Sequence, residues 1–515
     1  MSRLSLTFKN AWISLVFHFV YIVIQFYSRN IFLDNLGDEF MGVVGVLKSI
    51  LQFLNLSELG IGAAVGFSLY KPIYENNQDK INEIIGYLGF LYKRIGLFVL
   101  SVGVCLIVFF PYIFETTEIS LGIIIFLFLS LLSSNLLTYF FAYHVFLMEA
   151  DQKGYMNITI NQSIFVLRLG LQCLVLIYFE SILLWIFLEL STPFIYIYLL
   201  RKKIKKTYPW LNFKFKTTKE VRERNHELLK KIKQLSFHKI GGFVSNGTDN
   251  IVIFSFINPA TVAFVGNYQL VMNNINTLVS QIFNGTNSAV GNLVAENDIK
   301  SMIKVFWEMM ALRFFLAGCA SVMLFVGFDD LIMIWLEDSK YLMSHNVLIA
   351  LITIFFILQV RNPVDTYIQA YGLYADVWAP LAQSIINLVF SILFVIKFGV
   401  IGIFIGTIIS QATIIMIWRP YYLFTKGFEI NHFKYWIGFC GHLLYLLSAA
   451  LLFYILIDFI NFDTTSNLLY LILKLIKLGT LFSIIYYLIL SVFSKGFRNI
   501  NIRIISFVKQ KMNKK

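Results

Sequence analysis

Charge is what this chain has least of. Only 14% of its residues are Asp, Glu, Lys or Arg, while 58% are hydrophobic; soluble domains carry roughly 25% charged residues. A length of 515 residues would otherwise suggest about three soluble domains. Here apolar stretches recur from end to end, and the longest polar stretch, Arg201 to Lys233, is too short for an independent catalytic domain. Cysteine is scarce. Cys105, Cys173, Cys319 and Cys440 each lie inside an apolar run, with neither metal-ligand spacing nor a loop position suited to a disulfide. They read as small buried hydrophobes. The seven histidines form no metal-like pair, and His18 and His144 read as structural or interfacial. No Walker A pattern is present, so ATP hydrolysis by this chain is not expected. Nothing in the sequence points to an enzyme, a metal or a cofactor. Met1 to Asn10 hold Arg3 and Lys9, and the apolar run that follows has no small-residue cleavage site. It reads as a retained helix and not a signal peptide.

What is present is hydrocarbon-spanning sequence. A bilayer takes about 20 apolar residues to cross. Fourteen segments qualify: 10–33, 41–70, 82–112, 120–148, 155–179, 181–200, 235–257, 261–292, 305–328, 346–372, 377–397, 399–418, 436–457 and 466–493. The segments 41–70 and 261–292 are weakly apolar and rich in Gly, Asn and Ser, as expected of helices lining a cavity.

Lys and Arg placement sets orientation. With the N-terminus inside, thirty-two of the 42 basic residues fall in inner segments and only Lys340 and Lys397 in outer loops; eight lie within spans. One miscounted span would invert every later loop, so this asymmetry and the even count support each other. Both termini are expected to be cytoplasmic, in the inner membrane of a bacterium. The net charge of +13 then reports orientation and contact with anionic lipids, and not nucleic-acid binding.

Internal duplication is common among transporters. Arg29-Asn30-Ile31 corresponds to Asp249-Asn250-Ile251, Val44-Gly45 to Val265-Gly266, and Glu75-Asn76-Asn77 to Glu296-Asn297-Asp298, at offsets of 220, 221 and 221. These matches suggest two parallel halves. The expected division is a six-helix bundle over 1–200, a basic cytoplasmic linker over 201–234, a second six-helix bundle over 235–425, and two additional helices with a basic tail over 426–515.

Two regions carry a family resemblance. One runs from Ser28-Arg29-Asn30 through Leu36-Gly37-Asp38-Glu39-Phe40-Met41-Gly42 to Leu56-Ser57-Glu58-Leu59-Gly60-Ile61-Gly62-Ala63-Ala64 and Ser68-Leu69-Tyr70-Lys71-Pro72. The other is Ser245-Asn246-Gly247-Thr248-Asp249-Asn250-Ile251, then Val265-Gly266-Asn267-Tyr268. With the helix count and basic central loop, the chain resembles the Wzx-type polysaccharide flippases (O-antigen and capsule repeat-unit translocases) of the multidrug/oligosaccharidyl-lipid/polysaccharide (MOP) exporter superfamily. The resemblance implies an all-α polytopic membrane protein of about 14 transmembrane helices. Two six-helix bundles would form a V around a central cavity, with two additional C-terminal helices. It implies alternating-access export of undecaprenyl-diphosphate-linked oligosaccharide for surface polysaccharide synthesis. A monomer is expected, with polysaccharide polymerase and chain-length proteins as partners.

A charge near the bilayer centre costs about 2.5–3.5 kcal/mol on insertion scales, so intramembrane charges should face a cavity or each other. Basic residues exceed acids here, which suits a diphosphate, and Arg matches phosphate with a planar fork. Arg29, Lys48, Arg168, Arg313 and Arg361 are the candidate substrate cations. For Arg29 the competing reading is snorkelling to the surface; for Arg361 it is an intrahelical ion pair with Asp365 at i+4. Asn273 and Asn276, with Asn284 near the same face of an amide-rich span, are candidate sugar-binding residues or interhelical glue. Glu58 and Asp249 are candidates for proton coupling if buried, or salt-bridge members. Lys474 and Lys477 share a face and could line a lipid groove; packing or snorkelling is the alternative. Lys239, Glu308 and Glu189 are given no role. Two other functions compete: a cation-coupled multidrug exporter of the same superfamily, and an integral-membrane glycosyltransferase or polymerase, for which the Asp38-Glu39 pair could be catalytic, although it reads as an outer turn. The first would favour twelve spans and acidic cavity residues. The second needs a larger outer loop than any present.

Overall fold

A computed structural model describes residues 3–55, 61–213, 218–224, 247–283, 286–373, 375–457 and 467–512. Among them every regular element is helical. Among the described residues, eleven helices are long and apolar enough to cross a membrane. The other three expected spans are visible for separate reasons. The second continues from the first in one long helix, Arg3–Leu54, broken at Gly37 (φ 81, ψ 162), a backbone region open essentially to glycine alone. The seventh begins outside the described residues, and 247–256 are helical. The eighth is the amide-rich helix Pro259–Phe283, followed by Thr286–Ala295. The chain is thus an all-α, multi-pass membrane protein with about fourteen transmembrane helices.

By contact the chain divides into two compact units, Met1–Phe264 and Val265–Lys515. In the first, Gly154–Phe179 and Ile182–Thr207 are joined by Glu180 in the left-handed region (φ 46) and by Ser181, whose hydroxyl accepts from the Leu184 amide. Buried Trp185 meets Phe32 and Phe40 edge-on, at 5.4 and 5.8 Å between centroids. Such pairs contribute about 0.5–1.5 kcal/mol beyond area burial. Residues 247–264 pack with this unit; Asn250 Nδ2 donates to Ser49 Oγ at 3.1 Å.

The second unit is built on Ile299–Leu336. Phe306, fully buried, is edge-on to Tyr367, Phe424 and Phe428. The helices Phe433–Ile457 and Leu468–Phe493 pack along it through Ala311, Ala449, Leu478, Phe482, Tyr486 and Leu490. Backbone approaches side chain closely at Trp307. A Cβ on Gly438 would stand 2.0 Å from its indole ring, and one on Gly496 would stand 2.4 Å from its carbonyl oxygen.

One turn occurs in both units at offset 221. Asn76 and Asn297 adopt φ of 52° and 56°. Asn77 and Asp298 then cap the next helix, their side-chain oxygens accepting from the amides of Lys80 and Ser301. The capping residue satisfies an amide that the helix start leaves without a partner.

Candidate functional site

In the first unit, Arg168 on Gly154–Phe179 points at Glu189 on Ile182–Thr207, Nη1 to Oε1 at 2.6 Å. Gln172, one turn beyond Arg168, donates Nε2 to the Trp185 carbonyl and to Glu189 Oε2 at 3.2 and 3.3 Å. Glu189 is 6% exposed, so its charge is sustained by this cation and amide. Lys48 is exposed and lies within electrostatic reach of Arg29, Arg168 and Glu189. Arg29 donates Nη2 to the Ala263 carbonyl at 2.9 Å. The structure therefore places Lys48 within reach of two other expected cations, Arg29 and Arg168, and of the Glu189 carboxylate that Arg168 pairs with. Beside Arg168 a cavity of about 210 Å³ is lined by Ser134, Thr138, Asn161, Thr192 and Tyr196 among others. Four hydroxyls and the Asn161 amide beside the Arg168 guanidinium offer hydrogen bonds to a polar ligand. Asp249 is buried in the same unit. Glu58 lies outside the described residues, so that coupling candidate has no placement here.

In the second unit Arg313 is 1% exposed. Its Nη1 donates to Gln359 Oε1 and its Nη2 to Asn362 Oδ1, both at 2.8 Å. The guanidinium lies 3.6 Å from the Phe283 ring centroid. Gln359 passes the chain on, donating Nε2 to Asn276 Oδ1 at 2.5 Å. Among the described residues no carboxylate pairs with Arg313, and its Nε has no hydrogen-bond acceptor. Neutral amide oxygens and an aromatic face hold the cation, leaving its charge uncancelled. Asn273 is exposed, three residues from Asn276; Asn284 lies outside the described residues.

Arg361 is engaged differently. Its Nε donates to Asp365 Oδ2 at 2.7 Å, and Arg419 Nη1 takes Oδ1 of the same carboxylate. The i+4 ion pair is present, and a second arginine shares it. Lys474 pairs with Asp330 at 2.7 Å, on Ile299–Leu336, while Lys477 is exposed. The two lysines thus do not act together on one side-chain partner.

Several of these residues had no role from sequence. Glu189 and Gln172 belong to the Arg168 cluster, Gln359 and Asn362 hold Arg313, and Asp330 and Arg419 complete pairs. A signal existed for Gln359 and Asn362: with Arg361 they form a polar run directly after the apolar stretch Val347–Leu358 of His345–Tyr371. Among the described residues no group of three His, Cys, Asp or Glu converges as a metal site would require.

No protein-family model matches the sequence, and no curated protein matches it. Solved structures do. The chain is similar to the lipid II flippase MurJ in an inward closed conformation, at a TM-score of 0.66 and 16% identity over 94% of this chain and 98% of that one. It is similar to an inward-facing multidrug resistance MATE family transporter of the MOP superfamily, at 0.58 and 14% over 80% and 97%. A MOP superfamily transporter from Pyrococcus furiosus, described as having a binding pocket of reverse polarity, matches at 0.53 and 12% over 83% and 96%. The chain therefore shares the fold of these solved structures.

Proposed function

We propose that this chain is a flippase that carries undecaprenyl-diphosphate-linked oligosaccharides from the inner to the outer leaflet of a bacterial cytoplasmic membrane by alternating access, in surface polysaccharide synthesis. The observation that carries this reading is Arg313: a buried guanidinium with no paired carboxylate in the described residues. An uncompensated intramembrane charge is expensive. It is tolerable where function needs a fixed positive charge for an anion entering the membrane. In the other unit Lys48 has Arg29 and Arg168 within electrostatic reach, with Glu189 paired to Arg168. A diphosphate offers acceptors for several forked donors at once, and the hydroxyl- and amide-lined cavity beside Arg168 suits sugar. That a neighbour of the same fold is named a lipid flippase supports the class of substrate.

The second reading, export of cationic drugs, has support from the MATE neighbours. It would use acidic residues free to meet a cation, whereas Glu189 and Asp365 are engaged by arginines. Depletion of the chain separates the readings. A flippase leaves completed lipid-linked repeat units accumulating on the cytoplasmic face. Loss of their synthesis would instead indicate a transferase, and unchanged intermediates with increased drug sensitivity would indicate an exporter.

A further inference from the structure

The second unit holds a larger cavity, lined by none of the residues given a role above. About 700 Å³ opens among the start of Ile299–Leu336, the start of Phe433–Ile457 and the junction between Leu468–Phe493 and Lys495–Met512. Three lysines line it, Lys300, Lys304 and Lys495, and none of its lining residues is acidic. Among the described residues, Asp298 lies in electrostatic reach of Lys300 and Glu308 of Lys304, and Glu308 is already held by Arg503 at 2.9 Å.

The back of the cavity is fixed by a proton-ordered pair. Buried His442 faces the Gly438 carbonyl through Nδ1 at 2.7 Å, so that nitrogen carries the proton. Its Nε2 then accepts from Ser494 Oγ at 3.0 Å, and the same oxygen accepts from the Phe497 amide at 3.3 Å. Ser494 therefore caps Lys495–Met512 and sets the positive end of that helix at the cavity. The wall is apolar: Ile303, Ile437, Tyr445 and Phe493, of which Ile437 and Phe493 are exposed. A free phosphate ion would use the lysines and leave that wall idle. A phospholipid uses both.

We propose that this cavity binds one anionic phospholipid, its phosphate among Lys300, Lys304 and Lys495 and its acyl chains along Ile437 and Phe493. Trp307 lines the cavity and reports on it. The full chain is reconstituted in phosphatidylcholine bilayers with a minor fraction of phosphatidylglycerol brominated high on its acyl chains, which quenches indole on contact. Brominated phosphatidylglycerol is expected to quench beyond an equal fraction of brominated phosphatidylcholine, and Trp307→Phe is expected to remove that excess. Each of Lys300→Gln, Lys304→Gln and Lys495→Gln should weaken the apparent affinity about fivefold, equivalent to about 1 kcal/mol. Lys426→Gln, outside the cavity, should leave it unchanged. Equal quenching by the two lipids overturns the proposal, as does an excess that survives Trp307→Phe or ignores the lysine substitutions. Competition by millimolar inorganic phosphate at constant ionic strength also overturns it, by assigning the cavity to a soluble anion.

Discussion

Gln359 stands 2.8 Å from Arg313 and serves a charge with a neutral oxygen, where most buried arginines meet a carboxylate. If Arg313 were there for stability alone, an apolar side chain of similar volume would do as well or better. Arg313→Met is therefore expected to keep the protein folded and abundant while export falls at least tenfold. Export would be measured as surface polysaccharide, and abundance by immunoblot of the membrane fraction. Unimpaired export in this variant would remove Arg313 from the transport pathway. Gln359→Leu takes away one acceptor and should cost about 1–3 kcal/mol on unfolding in detergent.

Arg168 and Glu189 test as a unit. Glu189→Ala leaves a largely buried guanidinium without its carboxylate and should destabilise by about 3–5 kcal/mol. The double variant Arg168→Met/Glu189→Met should recover most of that stability. If Arg168 also meets substrate, the double variant stays inactive though stable. Recovery of export along with stability would make the pair purely structural.

Asp365 neutralises two arginines at once, Arg361 and Arg419. Asp365→Asn should therefore destabilise more than Arg361→Ala, in which Arg419 keeps its partner. Thermal unfolding of the purified variants checks the order. Arg29→Ala removes the donor to the Ala263 carbonyl and should lower export without lowering protein level.

The two helix caps at offset 221 differ in one respect: Asn77 cannot titrate and Asp298 can. Hydrogen bonds from the Ser301 hydroxyl, then the Ser301 and Lys300 amides, hold the Asp298 carboxyl below its usual range. A depressed folded pKa means that the cap's contribution is present above the unfolded value of about 3.9 and is lost as pH falls through the lower folded value. Amide exchange at Ser301, corrected for intrinsic pH dependence, should accelerate only below that range, while Lys80 shows no matching change. Asp298→Asn should abolish the difference.

The membrane fold is legible because each span is a local statement: about twenty apolar residues in a row need no tertiary context to be recognised. The break at Gly37 falls in the polar gap, with Asp34, Asp38 and Glu39, that separates the expected spans 10–33 and 41–70. The Arg361–Asp365 pair can be read from four-residue spacing alone. Glu189 could not be assigned to Arg168 in this way. It lies 21 residues away on the next helix, and which faces meet depends on the turn at Glu180 and Ser181. Arg313 is a stronger case. Its acceptors come from 46 and 49 residues further on, and amides carry no charge pattern to complement. Counting intramembrane charges found the cations, and only packing shows which of them are cancelled.

Trp307 receives the backbone of Gly438 on its ring and of Gly496 on its carbonyl, and it lies less than two turns before Arg313 on Ile299–Leu336. With no methyl group between them, there is no slack at either crossing. The tail helices cannot swivel or slide without dragging the arginine's own helix. A bulkier side chain at either glycine would therefore have to push aside the helix that carries Arg313.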